Sequence, residues 1–203
     1  MKLRSEGSLS LLFDLPLIPG LKLAEALIDA GEEARLIEAI GSIELSPFLF
    51  QGFVGKRLTK SFGSTYDFVT GRIAEAEPIP DWLLPLRRRA AGFAELDEDA
   101  LGQALVIRYD PGAGIGWHRD RPMFDQVIGI SLGSPTTLSF RQRTDSGFNR
   151  VKVPLPPRSA YLLSGEVRSE WEHGISAHDD LRYSITFRSI RPDRLPASKI
   201  VLD

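Results

Sequence analysis

Between residues 104 and 190 the chain is a succession of short apolar runs, each ended by Gly, Pro or charged turn residues, and this punctuation limits its fold more than any other feature. The runs fall at 104–109, 115–118, 126–132, 136–142, 149–153, 158–163, 168–175 and 182–190. Their length and their tendency to alternate predict strands. An α-rich first half followed by eight short strands predicts a two-sheet jelly roll, whose mouth between the sheets can hold a ligand.

The first half reads differently. Residues 1–20 alternate loosely and predict an edge strand and a turn. From Lys22 to Ala39, apolar residues at Leu23, Ala26, Leu27, Ala30, Ala34 and Ile37, interrupted by Gly31, predict one or two amphipathic helices with an acidic outer face. Between Pro47 and Phe68, aromatic residues interleave with Lys and Arg, which suits a flap able to stack on a base and touch phosphate. The alternative there is a β-hairpin with its aromatics packed on the core. Asp81 is placed to N-cap a helix whose apolar face carries Trp82, Leu83 and Leu86. The expected architecture is α+β and mainly β, in a single domain over 1–203. A double-stranded β-helix (jelly-roll) core spans 101–191, an N-terminal α/β extension with the flap spans 1–100, and a tail spans 192–203.

Within the core, Leu105 to Asp120 reads as a strand, a Pro/Gly-rich turn and a second strand ending in His118-Arg119-Asp120. Residues two apart on a strand leave it on the same side, so His118 and Asp120 can bind one ion. A second His would complete the two-His, one-carboxylate set of non-haem Fe(II) oxygenases, which leaves three metal positions open. The absence of cysteine excludes disulfides, zinc thiolates and iron–sulfur clusters, so a metal here must be held by His, Asp or Glu. Only His173 and His178 remain as partners. His173 lies on a strand-like run and His178 in a polar loop, which makes His173 the better ligand.

The last run, Arg182-Tyr-Ser-Ile-Thr-Phe-Arg188, alternates strictly. Arg182, Ser184, Thr186 and Arg188 share one face, and Tyr183, Ile185 and Phe187 the other. Two buried arginines about 20 Å apart along a strand could serve opposite ends of a site for a small dicarboxylate; the alternative is the solvent face of an edge strand. The net charge is −2, which advertises no general nucleic-acid partner, although residues 101–203 carry 14 basic against 11 acidic side chains and 12 of the basic ones are Arg. No apolar run reaches the ~20 residues of a membrane span, and the first residues lack a signal-peptide pattern, so a cytoplasmic location is expected.

His118-x-Asp120, the distal His173-Gly-Ile and the Arg-x5-Arg strand, in this order, resemble the AlkB-like Fe(II)/2-oxoglutarate-dependent dioxygenases. Arg108-Tyr109-x-Pro-Gly, Phe62-Gly63-x-x-Tyr66 and Pro78-Ile-Pro80-x-Trp82-Leu83 extend the likeness over residues 47–191. The resemblance implies Fe(II) held by His118, Asp120 and His173, and 2-oxoglutarate as cosubstrate. Arg182 and Tyr109 would hold its distal carboxylate, Ser184 would make a polar contact, and Arg188 would lie near the carboxylate at the iron. It further implies O₂ as co-reactant and release of succinate and CO₂. Methylated nucleic acid is the leading substrate class, presented as a single strand or a flipped base, with formaldehyde released; Phe53, Lys56, Arg57, Tyr66 and Arg121 are the candidate contacts. Other substrates within the same chemistry are a protein side chain, a modified tRNA nucleoside or a small amine, and a non-catalytic jelly-roll binding module is the third reading. Two positions depart from the family: Ile107 stands where many relatives carry Asn, and Arg121-Pro-Met-Phe follows the metal motif where repair members often carry acidic or polar residues.

Overall fold

The computed structural model describes residues 18–50, 53–67 and 72–191. Thirteen strands and three helices occur among them. In chain order these are β1 (Leu21–Ala24), α1 (Ala30–Gly41), β2 (Ser46–Phe50), β3 (Phe53–Phe62), β4 (Ser64–Asp67), β5 (Arg72–Glu75) and α2 (Leu84–Ala94). The second half follows with β6 (Gln103–Tyr109), β7 (Ala113–His118), β8 (Phe124–Gly133), β9 (Thr136–Thr144), β10 (Gly147–Leu155), β11 (Ala160–Leu163), α3 (Gly165–Ser169), β12 (Glu172–His178) and β13 (Arg182–Ile190). All eight expected core strands are present, and they divide between two sheets as a jelly roll requires. The large sheet has the order β1-β11-β8-β13-β6-β3-β2, and the small one β10-β9-β12-β7.

Three layers result. Helices α1 and α2 cover the outer face of the large sheet, burying Leu36, Ile40, Leu86 and Ala90 against Val106, Ile128, Ile130, Ile185 and Phe187. On its inner face, Val127 and Leu163 meet Leu138, Phe140, Val153 and Ile175 of the small sheet. A strand covered on both faces needs apolar residues on both, which is why β8 reads Val-Ile-Gly-Ile-Ser-Leu without clean alternation. Strand β13 lies between β8 and β6, so the edge-strand alternative for its arginines does not hold.

Three expectations are corrected. Leu21–Ala24 is a strand paired with β11, and the helix begins only at Ala30. The start is set by a capping box: Asp29 Oδ1 accepts from the Glu32 amide at 2.8 Å, and Glu32 Oε2 accepts from the Asp29 amide at 3.2 Å. Gly31 falls in the first turn and breaks nothing. Asp81 caps no helix by its side chain; it opens a single 3₁₀ turn over Asp81–Leu83, and α2 starts at Leu84 with Pro85 in the first turn. The run 168–175 begins in α3, because buried Arg168 turns inward to donate to the carbonyls of Arg121 and Phe124. Of the edge strand and turn expected over residues 1–20, the turn is present at residues 19–20, while residues 1–17 lie outside the described residues, as does the tail over 192–203.

Glu33 joins the helical layer to the large sheet. Only 8% exposed, it accepts from the Gly133 amide at 2.8 Å and from Arg158 Nη1 at 2.8 Å. Glu33→Ala strands both donors, so a loss of about 1–3 kcal/mol of stability is expected in urea unfolding, with no change in metal affinity.

Candidate metal centre

The small sheet positions two of the three candidate metal ligands. Strands β12 and β7 pair with His173 opposite His118, which places the two imidazoles 4.3 Å apart, centroid to centroid, on the inner face. Asp120 follows just beyond β7, and its Oδ2 lies 3.4 Å from His173 Nε2. One ligand atom from each of His118, Asp120 and His173 falls within 4.8 Å of the others, a grouping that can hold a metal ion. His118 Nδ1 lies 2.9 Å from the Gly116 carbonyl oxygen, which accepts only if that nitrogen carries the proton, leaving Nε2 to ligate.

Electrostatics prepare the same set. Burial alone would raise the Asp120 pKa, but the Arg188 guanidinium, followed by the two imidazoles, holds it well below the ordinary carboxylate range. Burial lowers His173 to about 3 despite the opposing pull of Asp120. Burial likewise lowers His118. An anionic carboxylate and two neutral imidazoles are the protonation states a divalent metal requires.

The large sheet supplies the facing wall. Along its inner face Arg182 pairs with Tyr109, Ser184 with Ile107, Thr186 with Leu105 and Arg188 with Gln103. At the metal end, Arg188 donates to Asp120 Oδ1 from Nε at 3.1 Å and to Gln103 Oε1 from Nη1 at 2.9 Å. At the far end, Arg182 is 1% exposed, with its guanidinium 4.9 Å from the Tyr109 ring centroid. Its Nη2 donates to Ser131 Oγ at 3.2 Å, but Nε and Nη1 are buried with no partner among the described residues. A buried guanidinium with two unused donors calls for an anion. A small dicarboxylate able to reach from the metal cluster to Arg182 fits, and 2-oxoglutarate is such a molecule.

The other expected contacts fall unevenly. Arg57 on β3 pairs with Tyr109 and lies within electrostatic reach of Tyr109, Arg188 and Asp120, so it faces the site. Lys56 is exposed near Gly112 in the turn before β7, and Arg121 follows the metal motif, half-buried. The side chains of Phe53 and Tyr66 lie outside the described residues. His178, read as a loop residue, instead ends β12 with its ring 6.3 Å from that of Tyr109.

Sequence reasoning missed one surface and two anchors. Trp117 and Glu172 precede His118 and His173 and so project from the outer face of the small sheet. There Arg141 lies 4.6 Å from the Trp117 ring centroid and 4.7 Å from that of Phe148, with Arg143 and Arg150 also over Phe148. Glu172 accepts from Arg141 Nε at 2.6 Å, and Trp117 is 40% exposed. Alternation along β9 and β10 marks which residues face out, but only the pairing register gathers them behind the metal ligands. The anchors are Gln103, which steadies Arg188, and Arg168, which fixes the backbone of Arg121.

Comparisons with known proteins agree with this geometry. The family model of the 2OG-Fe(II) oxygenase superfamily matches residues 54–188. Mouse tRNA (carboxymethyluridine(34)-5-O)-methyltransferase ALKBH8 is 30% identical over 167 residues, covering 78% of this chain and 24% of its own length. The Alkylated DNA repair protein ALKBH8 homolog of Arabidopsis thaliana is 27% identical over 202 residues, covering 86% of this chain and 56% of its own. The chain thus spans about a quarter of the one relative and about half of the other. The solved structure of OsALKBH1 superposes with a TM-score of 0.62 at 17% identity, covering 85% of this chain and 98% of that one, which shows the shared fold. No helix among the described residues is long and apolar enough to cross a membrane. The family uses Fe(II) and 2-oxoglutarate, and by the residues matched and the relatives found, the chain belongs to the 2OG-Fe(II) oxygenase superfamily as an AlkB-like dioxygenase.

Proposed function

We propose that the protein is a cytoplasmic enzyme that oxidatively demethylates alkylated nucleic acid, with Fe(II) held by His118, Asp120 and His173. The observation that carries the choice of substrate is the arginine and aromatic face backing the metal cluster, Trp117, Arg141, Arg143, Phe148 and Arg150, in a chain whose net charge is −2. Guanidinium groups beside aromatic rings suit a phosphate backbone with unstacked bases. The names of the mouse and Arabidopsis relatives, one concerned with tRNA and the other with alkylated DNA, support the same class.

When bound, the metal and cosubstrate supply the oxidation: O₂ gives one oxygen atom to 2-oxoglutarate, which leaves as succinate and CO₂, and the other to a substrate C–H bond. The chain's own residues do the positioning. His118 and His173 offer neutral nitrogens and Asp120 an anionic oxygen, while Arg188 keeps that carboxylate ionised and oriented. Arg182 and Tyr109 hold the distal carboxylate, and Ser184 makes a polar contact to the cosubstrate. Lys56, Arg57 and Arg121 are assigned to the substrate side, where a target base enters from a single strand or flipped out of a duplex; Phe53 and Tyr66, also expected there, have side chains outside the described residues. An N-methyl group hydroxylated there becomes N–CH₂OH, which breaks down to N–H and formaldehyde.

The test is a panel of methylated single-stranded DNA, methylated RNA, tRNA and methylated peptides, scored for succinate and formaldehyde by mass spectrometry. Formaldehyde from the oligonucleotides is expected, and turnover on peptides alone would overturn the reading. Binding to single strands is expected to weaken with salt, with the log–log slope shallower by about 0.7 for each arginine removed in Arg143→Gln and Arg150→Gln. A slope unchanged in the double variant would remove this face from the interface.

A further inference from the structure

Tyr161 stands on the inner face of the large sheet. On β11, Tyr161 pairs with Gly129 of β8, and Gly129 in turn pairs with Thr186 of β13. Directly paired residues share a face, so Tyr161 stands on the same side as Arg182, Ser184 and Arg188. Gly129 is what admits it: a Cβ built on Gly129 would overlap the phenol ring and its hydroxyl. The ring therefore occupies the space over the bare backbone of β8 and reaches from β11 toward the strand that carries both arginines.

Its rung is the third of four. Counting along β13, Arg182 shares a rung with Tyr109, Ser184 with Ile107 and Ser131, Thr186 with Leu105 and Gly129, and Arg188 with Gln103. Tyr161 thus enters between the anion-binding end and the metal end of the wall. On β6 that stretch offers only Leu105 and Ile107, apolar side chains with no donor to give. The phenol lies within electrostatic reach of Tyr109, Asp120, Arg182 and Arg188, the residues that bound both ends of the site. Burial, followed by the neighbouring Tyr109 and Asp120, raises its pKa, so the group is a neutral hydroxyl and can donate. It donates no hydrogen bond among the described residues.

We infer that Tyr161 is a further cosubstrate-binding residue, whose hydroxyl, admitted by Gly129, donates to the distal carboxylate of 2-oxoglutarate beside Arg182 and Tyr109. The inference rests on the assignment of 2-oxoglutarate to this site. It gives the cosubstrate a hydrogen bond on a wall where Ile107 supplies none, and it gives Gly129 a reason that strand propensity does not, since glycine weakens a strand interior.

The experiment uses calorimetry on the full chain loaded with Mn(II), titrated with 2-oxoglutarate and with oxalate, which has no distal carboxylate. Tyr161→Phe keeps the ring and removes the donor. It is expected to weaken 2-oxoglutarate by about 10-fold while leaving Mn(II) and oxalate affinities and the melting temperature unchanged. Gly129→Ala is expected to lower the melting temperature, and Tyr161→Leu in that background to restore it without restoring 2-oxoglutarate affinity. Unchanged 2-oxoglutarate affinity in Tyr161→Phe, or an equal loss for oxalate, would overturn the inference while the cosubstrate assignment stands. Failure of the Mn(II)-loaded native protein to bind 2-oxoglutarate would overturn both.

Discussion

Asp120→Asn is expected to abolish succinate formation and to weaken Fe(II) or Mn(II) binding by more than the 10- to 100-fold typical of losing an outer-shell partner. The amide keeps the shape of the carboxylate but carries no charge for the metal. It also deprives Arg188 of its ion pair, made at 3.0 Å by a guanidinium whose side chain is 13% exposed. Gln103 still accepts one of its hydrogen bonds. Breaking a buried pair from one side costs up to about 3–5 kcal/mol, so the metal-free variant should also melt at lower temperature. Arg188→Met in the Asp120→Asn background removes the orphaned charge and is expected to recover part of that stability but no metal binding. Full turnover by Asp120→Asn would refute the metal assignment.

Arg182→Met should move two measurements in opposite directions. In the absence of ligand, Arg182 is a fully buried cation with one side-chain hydrogen bond, to Ser131, and two unused donors. Replacing such a group by an apolar one of similar volume is neutral to stabilising, so the ligand-free melting temperature is expected to stay or rise. The 2-oxoglutarate affinity should fall by about 10- to 100-fold, from the loss of a charge-assisted contact of about 1.5–3 kcal/mol. The stabilisation that 2-oxoglutarate confers on the metal-loaded protein falls with it, by linkage. A variant that loses ligand-free stability yet binds 2-oxoglutarate normally would make Arg182 a structural residue.

How much of this was legible before the structure follows from the range of the interactions involved. Neighbours in sequence are readable in part: the His118-x-Asp120 spacing marks a pair that does come together, although β7 ends at His118 and Asp120 lies just beyond the strand, and the eight core strands stand out by their turn residues. The one or two helices expected over 22–39 begin too early because Leu23 fits a helical stripe as well as a strand. The Asp29–Glu32 capping box and the pairing with β11 decide between the two. Asp81 looked like a cap because its residue type is right, but Pro85 fits the first turn of a helix beginning three residues later. His178 was assigned to a loop from its polar neighbours, whereas pairing with Ala113 extends β12 to include it.

By itself the sequence determined the chemistry on offer. With no cysteine and three histidines, a metal site could be built only from His and carboxylate side chains; the His-x-Asp spacing marked two candidate ligands as close neighbours, and strand alternation put two arginines on one face. Only the tertiary structure decided that β13 is a central strand, which buries Arg182 and leaves its donors waiting for an anion. It also decided that β12 sets His173 opposite His118, and that Gly129 opens room for Tyr161. The physical reason is that alternation and capping act over a few residues, whereas burial, register and steric room depend on which distant strand lies alongside, and that is settled only when two sheets close on a common core.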